Sequence, residues 1–542
     1  MGYFPYSVLL FVTGRYDIDL AERNACRYPF VQQGCTMNVT NDAMTVAEPR
    51  ASGVVPTQEG HYYGGQWHDP IAGRYFDTLN PATQDVLGRV ADGDADDVDR
   101  AVNAAHDAWD EWRHFPIFER AALLREAAQV LRSHEKELAM IDALNCGNPV
   151  REMVGDVQAA ALLMDYFAGL IPEIKGETIP MNDGSFNYTV RESLGVVARI
   201  YPSNHPLLFA ASRIAAALAA GNTVVIKPPE QAPLSSMRMM ELLGPLFPPG
   251  VLNCVNGGRG VGAALVEHPR VVKIGLTGGE AAGQAVLRGA AEQIKPVLLE
   301  LGGKNALIVY PDADLPQAVT GAVKGMNLLW AGQSCGSTSR IFVHESLYNS
   351  FLEQFVAAVN AAHTPGLPEN EQTTMGCLGS RAAFEKTMFY IDAGIEDGAR
   401  LLCGGRRCGA PELARGWFVE PTVFADVTPS MRIARDEIFG PIVAIGKWTD
   451  AGQMMSEVNA LDYGLTCSIW TNDLNTAISA AARVEAGFIW INGSSRHFAG
   501  APFGGYKRSG LGREECLEEL LSYTQVKNVN VNVTTQGIPA RG

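Results

Sequence analysis

Gly195-Val196-Val197-Ala198-Arg199-Ile200-Tyr201, then Leu207–Ala220, then Thr223-Val224-Val225-Ile226-Lys227-Pro228-Pro229-Glu230 decide the fold class. The outer two are short, mostly apolar runs rich in β-branched residues and bounded by Gly or Pro. The middle one is Ala-rich and long enough for four helical turns. The same alternation continues with a helix around Ser236–Leu246 and strands at Leu252–Val255 and Val271–Leu276. Strands alternating with helices predict an α/β domain with a mostly parallel sheet, which takes its ligands at the C-terminal ends of its strands. A second alternating series runs from Asn305 to Trp490.

Upstream of this pattern, Tyr62–Trp67 and Phe76–Pro81 read as strands with turns. Asp94 reads as an N-cap, with Asp96 and Asp97 in the first helical turn. Val98, Val102, Ala105 and Trp109 follow at helical spacing, and a further single helix is predicted through Arg120–Leu138. Downstream, Thr524–Val533 alternates apolar and polar residues as a half-exposed strand does, with Tyr188–Arg191 as a candidate partner. A terminal strand of this kind points to an edge paired across subunits. Residues 1–60 fit neither period and read as an N-terminal extension. Met37 and Met44 are alternative initiators there, so residues 1–43 stand apart from the rest. A targeting peptide is the other reading, but Met1–Tyr6 lacks positive charge.

A chain of 542 residues exceeds one ordinary core, so two or three domains are expected. With 47% hydrophobic and 19% charged residues it is globular, not disordered. A net charge of −16 argues against nucleic acid and anionic membranes as partners. No apolar run stands out as long enough to span a bilayer. The ten cysteines lack metal-ligand spacing, Cys403 and Cys408 being the nearest pair, so reduced thiols, a cytoplasmic location and no metal are expected.

Chemistry concentrates in six places. Gly332-Gln333-Ser334-Cys335 offers a thiol in a loop of small residues, and Leu299-Glu300-Leu301-Gly302-Gly303-Lys304 offers a carboxylate at a strand's end. A thiolate and a carboxylate serving one carbonyl make covalent oxidation of an aldehyde feasible. Asn204, between Pro202-Ser203 and His205-Pro206, can donate an amide N–H to an oxyanion. Lys227 and Glu230 at a strand's end can bind ribose hydroxyls, and a carboxylate there favours NAD over NADP. Gly278 and Gly279, opening a helix, let backbone N–H groups approach a pyrophosphate. Glu437 and Phe439 can hold the nicotinamide end. Each site alone also has an ordinary explanation as turn, core or solvated pair.

Together these clusters resemble the aldehyde dehydrogenase superfamily, in its order and near its spacing, from about His61 to Val533. Pro502-Phe503-Gly504-Gly505-Tyr506-Lys507-Arg508-Ser509-Gly510 is a seventh landmark. The resemblance implies a Rossmann-type NAD-binding domain (61–174 and 194–301), an α/β catalytic domain (302–520) and a small β oligomerisation arm (175–193 and 521–535) in a homodimer or homotetramer. It implies Cys335 as nucleophile, Glu300 as activator of the hydrolytic water, and Asn204 with the Cys335 N–H as oxyanion hole. Pro202, Ser203, Lys227, Glu230, Gly278, Gly279, Leu301, Gly302, Glu437 and Phe439 would contact the cofactor. His205, Phe209, Leu329, His497 and Phe503 would line the substrate tunnel. His205 and Ser212 stand where the family commonly has aromatics, so a polar, anionic or oxygenated-ring aldehyde is expected over a short alkanal. The alternatives are a coenzyme-A-acylating enzyme, which usually lacks the glutamate, and a non-catalytic scaffold.

Overall fold

A computed structural model describes residues 55–181 and 185–532. The N-terminal extension up to residue 54, with its candidate initiators, lies outside the described residues, as does the predicted arm beyond residue 532.

Three of the five sheets among the described residues organise the fold. The first has eight strands in the order Gln66–His68, His61–Tyr63, Leu252–Cys254, Thr223–Lys227, Val196–Ile200, Val271–Thr277, Val297–Glu300 and Gly510–Leu511. Its five central strands are parallel, and both flanks are antiparallel. The second has seven: Arg400–Cys403, Thr422–Ala425, Ile442–Trp448, Arg340–His344, Ala306–Val309, Thr466–Trp470 and Phe488–Ile491. Only its first pair is antiparallel. The expected α/β reading holds for both. Gly510–Leu511 completes the first sheet beside Glu300.

The third sheet runs Thr524–Val531, Phe186–Ser193, Thr178–Pro180, all antiparallel. The predicted partnership of the terminal strand with Tyr188–Arg191 is realised within the chain, with Thr524 opposite Ser193 and Val531 opposite Phe186.

Helix Ala95–Arg113 begins at the predicted N-cap, where Asp94 and Asp97 form a reciprocal capping box. The single helix predicted over Arg120–Leu138 is instead two, Ile117–Ser133 and Glu135–Cys146, broken at His134. The reading of no span-length apolar run also fails, because Val150–Glu173 is long and apolar enough by composition. Half of its most apolar stretch is buried, and it packs on both of those helices and on Pro206–Ala219. That is the setting of a core helix. Pro206–Ala219 is itself enclosed on nearly every side, which is why its polar faces have shrunk to Ser212 and Arg213.

Candidate active site

The register of the first sheet assembles the site. Ile200 lies opposite Lys227 and Leu276, and Thr277 opposite Glu300, so four parallel strands end in one row. The segments leaving them, 201–205, 228–230, 278–279 and 301–302, emerge side by side at the edge where such sheets take ligands. Glu300 is the last residue of its strand and is buried.

Cys335 comes after the short turn of 3₁₀ helix Leu328–Trp330 and precedes strand Arg340–His344. Its loop is held from several sides. Gly332 has φ +71°, and a Cβ there would stand 2.3 Å from the Gly440 carbonyl oxygen, so only glycine fits. Asn327 and Ala331 also take left-handed backbone conformations, at φ +54° and +50°, a strain found where surrounding structure over-determines a loop. The Gln333 carboxamide donates to the Cys377 carbonyl (3.2 Å) and accepts from Gly379 N–H (3.0 Å). Asn305 Nδ2 donates to the carbonyls of Cys335 (2.6 Å) and Ser337 (3.1 Å), while its Oδ1 accepts from Thr466 N–H. Asn204 Nδ2 donates to the Gln333 carbonyl at 3.0 Å, and Asn148 braces Asn204 by donating to its carbonyl at 2.7 Å.

Cys335 and Glu300 line one cavity of about 200 Å³ with His205, Phe209, His497 and Phe503. Burial first, then the charge of Glu514, pushes the Glu300 carboxyl up to about 7. Neither of its oxygens has a partner at full hydrogen-bond geometry, although the Cys335 thiol and Arg213 draw the pKa partly back down. Burial and the Glu300 carboxylate push the Cys335 thiol well above its ordinary value. Asn204 is buried, and one N–H of its amide is committed to Gln333, which leaves the other.

A profile described as "Aldehyde dehydrogenase family" matches residues 67–529 of this chain. The chain belongs to the aldehyde dehydrogenase family. It is 48% identical over 492 residues to the aldehyde dehydrogenase tropH of Talaromyces stipitatus, covering 90% of this chain and 95% of that one. An NAD+ complex of aldehyde dehydrogenase from Bacillus cereus is similar at TM-score 0.86 and 38% identity, covering 90% of this chain and 99% of that one. PnpE from Pseudomonas sp. WBC-3, in complex with nicotinamide adenine dinucleotide, is similar at TM-score 0.86 and 39% identity, covering 88% and 98%. The protein is thus an aldehyde dehydrogenase.

The pocket of this aldehyde dehydrogenase differs from the sequence expectation at two positions. Leu329 does not line the cavity; Trp330 does, because the tight turn between two left-handed residues presents the tryptophan. Ser212 is also off the wall, since its hydroxyl turns back to donate to the Leu208 carbonyl at 2.5 Å. Its neighbour Arg213 takes the wall position, with Nη2 at 3.1 Å from Glu514 and 3.5 Å from Glu515. His205 Nδ1 sits 2.7 Å from Asp156 Oδ2, and His497 Nδ1 sits 3.2 Å from Glu515 Oε2. Burial alone would lower the His205 pKa, but the Asp156 carboxylate raises it overall. Asp156, Arg213, Trp330, Glu515 and Asn305 were missed by sequence reasoning. For Arg213 a signal existed: a cation inside an otherwise apolar helix.

Of the residues expected to meet a dinucleotide, all but Glu437 and Phe439 lie along the row of strand ends. Lys227 is buried, its Nζ donating to the Pro228 carbonyl at 2.9 Å, and burial depresses its pKa against the pull of Glu230. Glu230 is exposed beside it. Gly278 N–H donates to the Glu300 carbonyl, and Gly279 opens helix Glu280–Ala291 with no side-chain cap, which leaves first-turn N–H groups for a phosphate. A Cβ on Gly302 would stand 2.0 Å from Glu437 Oε2, so backbone and carboxylate meet there, and Gly303 N–H donates to Glu437 Oε1 at 3.0 Å. Phe439 adopts a left-handed φ of +59° beside that carboxylate. Pro202 is half-buried, as is Ser203, where the strand Val196–Ile200 gives way to the loop. A buried amine, an exposed carboxylate and an uncapped helix start in one row fit a nicotinamide dinucleotide. Among the described residues no group of three or more His, Cys, Asp or Glu side chains is arranged to hold a metal.

Proposed function

We propose that the enzyme oxidises a polar or aromatic aldehyde to the carboxylic acid with NAD, through a thioester on Cys335 that is hydrolysed by water. The observation that carries this reading is the placement of the Cys335 thiol and the Glu300 carboxyl on one cavity beside the row of strand ends. The Cys335 thiol gives up its proton to solvent water as Sγ bonds to the aldehyde carbon, and the resulting oxyanion is stabilised by the remaining Asn204 N–H and the Cys335 backbone N–H. When bound, the dinucleotide supplies the hydride acceptor. Glu300 takes a proton from water, which attacks the thioester carbon, and the acid leaves as the C–S bond breaks. A carboxyl with pKa about 7 is poised for that proton transfer near neutral pH.

Glu300 favours water over coenzyme A as acyl acceptor. The exposed Glu230 carboxylate favours NAD, because it repels a 2′-phosphate. Lys227 and Glu230 would hold the adenosine ribose, Gly278 and Gly279 the pyrophosphate, Leu301 and Gly302 the nicotinamide, and Glu437 with Phe439 its ribose. The edge strands Thr524–Val531 and Thr178–Pro180 support assembly into a homo-oligomer. The test is NADH production over an aldehyde panel, with and without coenzyme A, for wild type and Cys335→Ala. Oxidation that is independent of coenzyme A and abolished by the substitution is expected. Activity surviving Cys335→Ala overturns the covalent mechanism, and absence of activity on every aldehyde overturns the oxidation reading.

A further inference from the structure

We infer that His205, held by Asp156, is the residue by which the cavity selects an aldehyde bearing a hydroxyl on a single aromatic ring. This rests on the oxidation reading above. Two imidazole–carboxylate pairs reach the cavity, and exposure separates them. The His205 and Asp156 side chains are 8% and 9% exposed, whereas His497 is 41% exposed, so water can serve it. Asp156 Oδ2 engages Nδ1 at 2.7 Å, and Nε2 has no protein partner among the described residues, so Nε2 is the nitrogen left to the ligand. The ring is fixed edge-on between Trp330 (4.7 Å between centroids) and Phe209 (5.8 Å).

A carboxylate on Nδ1 assigns the proton there when the ring is neutral, leaving Nε2 as an acceptor; in the imidazolium it is a donor. A hydroxyl can complement either state, because it both donates and accepts. An anionic substituent is disfavoured by the charges around it. Asp156, Glu300 and Glu515 line the cavity against the guanidinium of Arg213, which is itself tied to Glu514 and Glu515. The size of the substrate is bounded too. A cavity of about 200 Å³ lies below the roughly 300 Å³ at which drug-sized pockets begin, and its aromatic walls suit one ring.

The experiment measures kcat/KM of the wild type with NAD for benzaldehyde, the ortho, meta and para hydroxybenzaldehydes, and para-carboxybenzaldehyde. It repeats the set with His205→Phe and Asp156→Asn. Sites built to hydrogen-bond a hydroxyl reject analogues lacking it, so the best hydroxybenzaldehyde should exceed benzaldehyde by at least about tenfold, with the carboxylate poorest. In His205→Phe that ratio falls to near one, and Asp156→Asn moves it the same way by loosening the ring. The ratio is the readout because a general loss of fold or rate leaves it unchanged. An active wild type that shows no hydroxyl preference, or variants that keep the wild-type ratio, overturns the assignment while leaving the oxidation reading intact. A wild type inactive on all aldehydes overturns both. The wild-type ratio alone decides if neither variant folds.

Discussion

Glu300→Gln should make the protein more stable and slow its turnover, with the stability gain growing as pH rises. The carboxyl is buried without a full hydrogen bond, and its pKa is raised from 4.5 to about 7. A group whose folded pKa is raised contributes stability that is present below the unfolded pKa and lost as pH climbs through the folded one. Here that window runs from about pH 4.5 to 7. The penalty is about 1 kcal/mol at pH 5 and about 3 kcal/mol at pH 8, taking about 1.36 kcal/mol per unit. Glutamine does not titrate, so its own desolvation cost is the same at both pH values. The variant's advantage should therefore be larger at pH 8 by about 2 kcal/mol. Denaturant unfolding of both proteins at the two pH values measures it. Rapid-mixing absorbance tracks the chemistry: one equivalent of NADH per active site, then a steady state slower by about 10² to 10⁴. A stability difference that shrinks with rising pH would refute the electrostatic argument, and undiminished steady-state turnover would refute the assignment of the base.

Asn305→Ala removes both amide donors from the nucleophile loop and an acceptor from Thr466. It should cost about 2–3 kcal/mol in chemical denaturation and slow thiol acylation in stopped-flow traces. Arg213→Met removes the cation shared by Glu514 and Glu515 but leaves Arg199 on the first and His497 on the second, so a loss of about 2–3 kcal/mol is expected; unchanged unfolding would show the network to be dispensable. Glu230→Gln removes the carboxylate expected to repel a 2′-phosphate, so the NADP/NAD ratio of kcat/KM should rise about tenfold, as initial rates with each cofactor would report.

How much of this was legible in the sequence depends on the range of each interaction. Strand Val196–Ile200 and helix Pro206–Ala219 are local consequences of composition, and so were readable. The pairing of Thr524–Val531 with Phe186–Ser193 spans most of the chain, yet strict alternation exposed it. Cys335 and Glu300 were readable because small residues and a strand's end frame them. The break at His134 was hidden because apolar spacing continues across it. Leu329 was misassigned because two left-handed residues rotate the turn, which residue types do not encode. Ser212 was misread because a serine inside a buried helix satisfies its hydroxyl on the preceding turn. Asn305, Asp156 and Glu515 act through partners distant in sequence, and no local pattern marks them.

Gly510–Leu511 closes the sheet beside Glu300, and the residues C-terminal to it underpin the same region. Glu514 meets Arg199, and Tyr523 meets Arg199 and Asn222. The stretch that finishes this sheet is thus made after all of its other strands. A nascent chain that has emerged only as far as Gly505 has both its thiol and its carboxylate but an unsealed edge next to them. Reactive aldehydes in the cell therefore meet a completed enzyme only after synthesis has passed the segment that seals it.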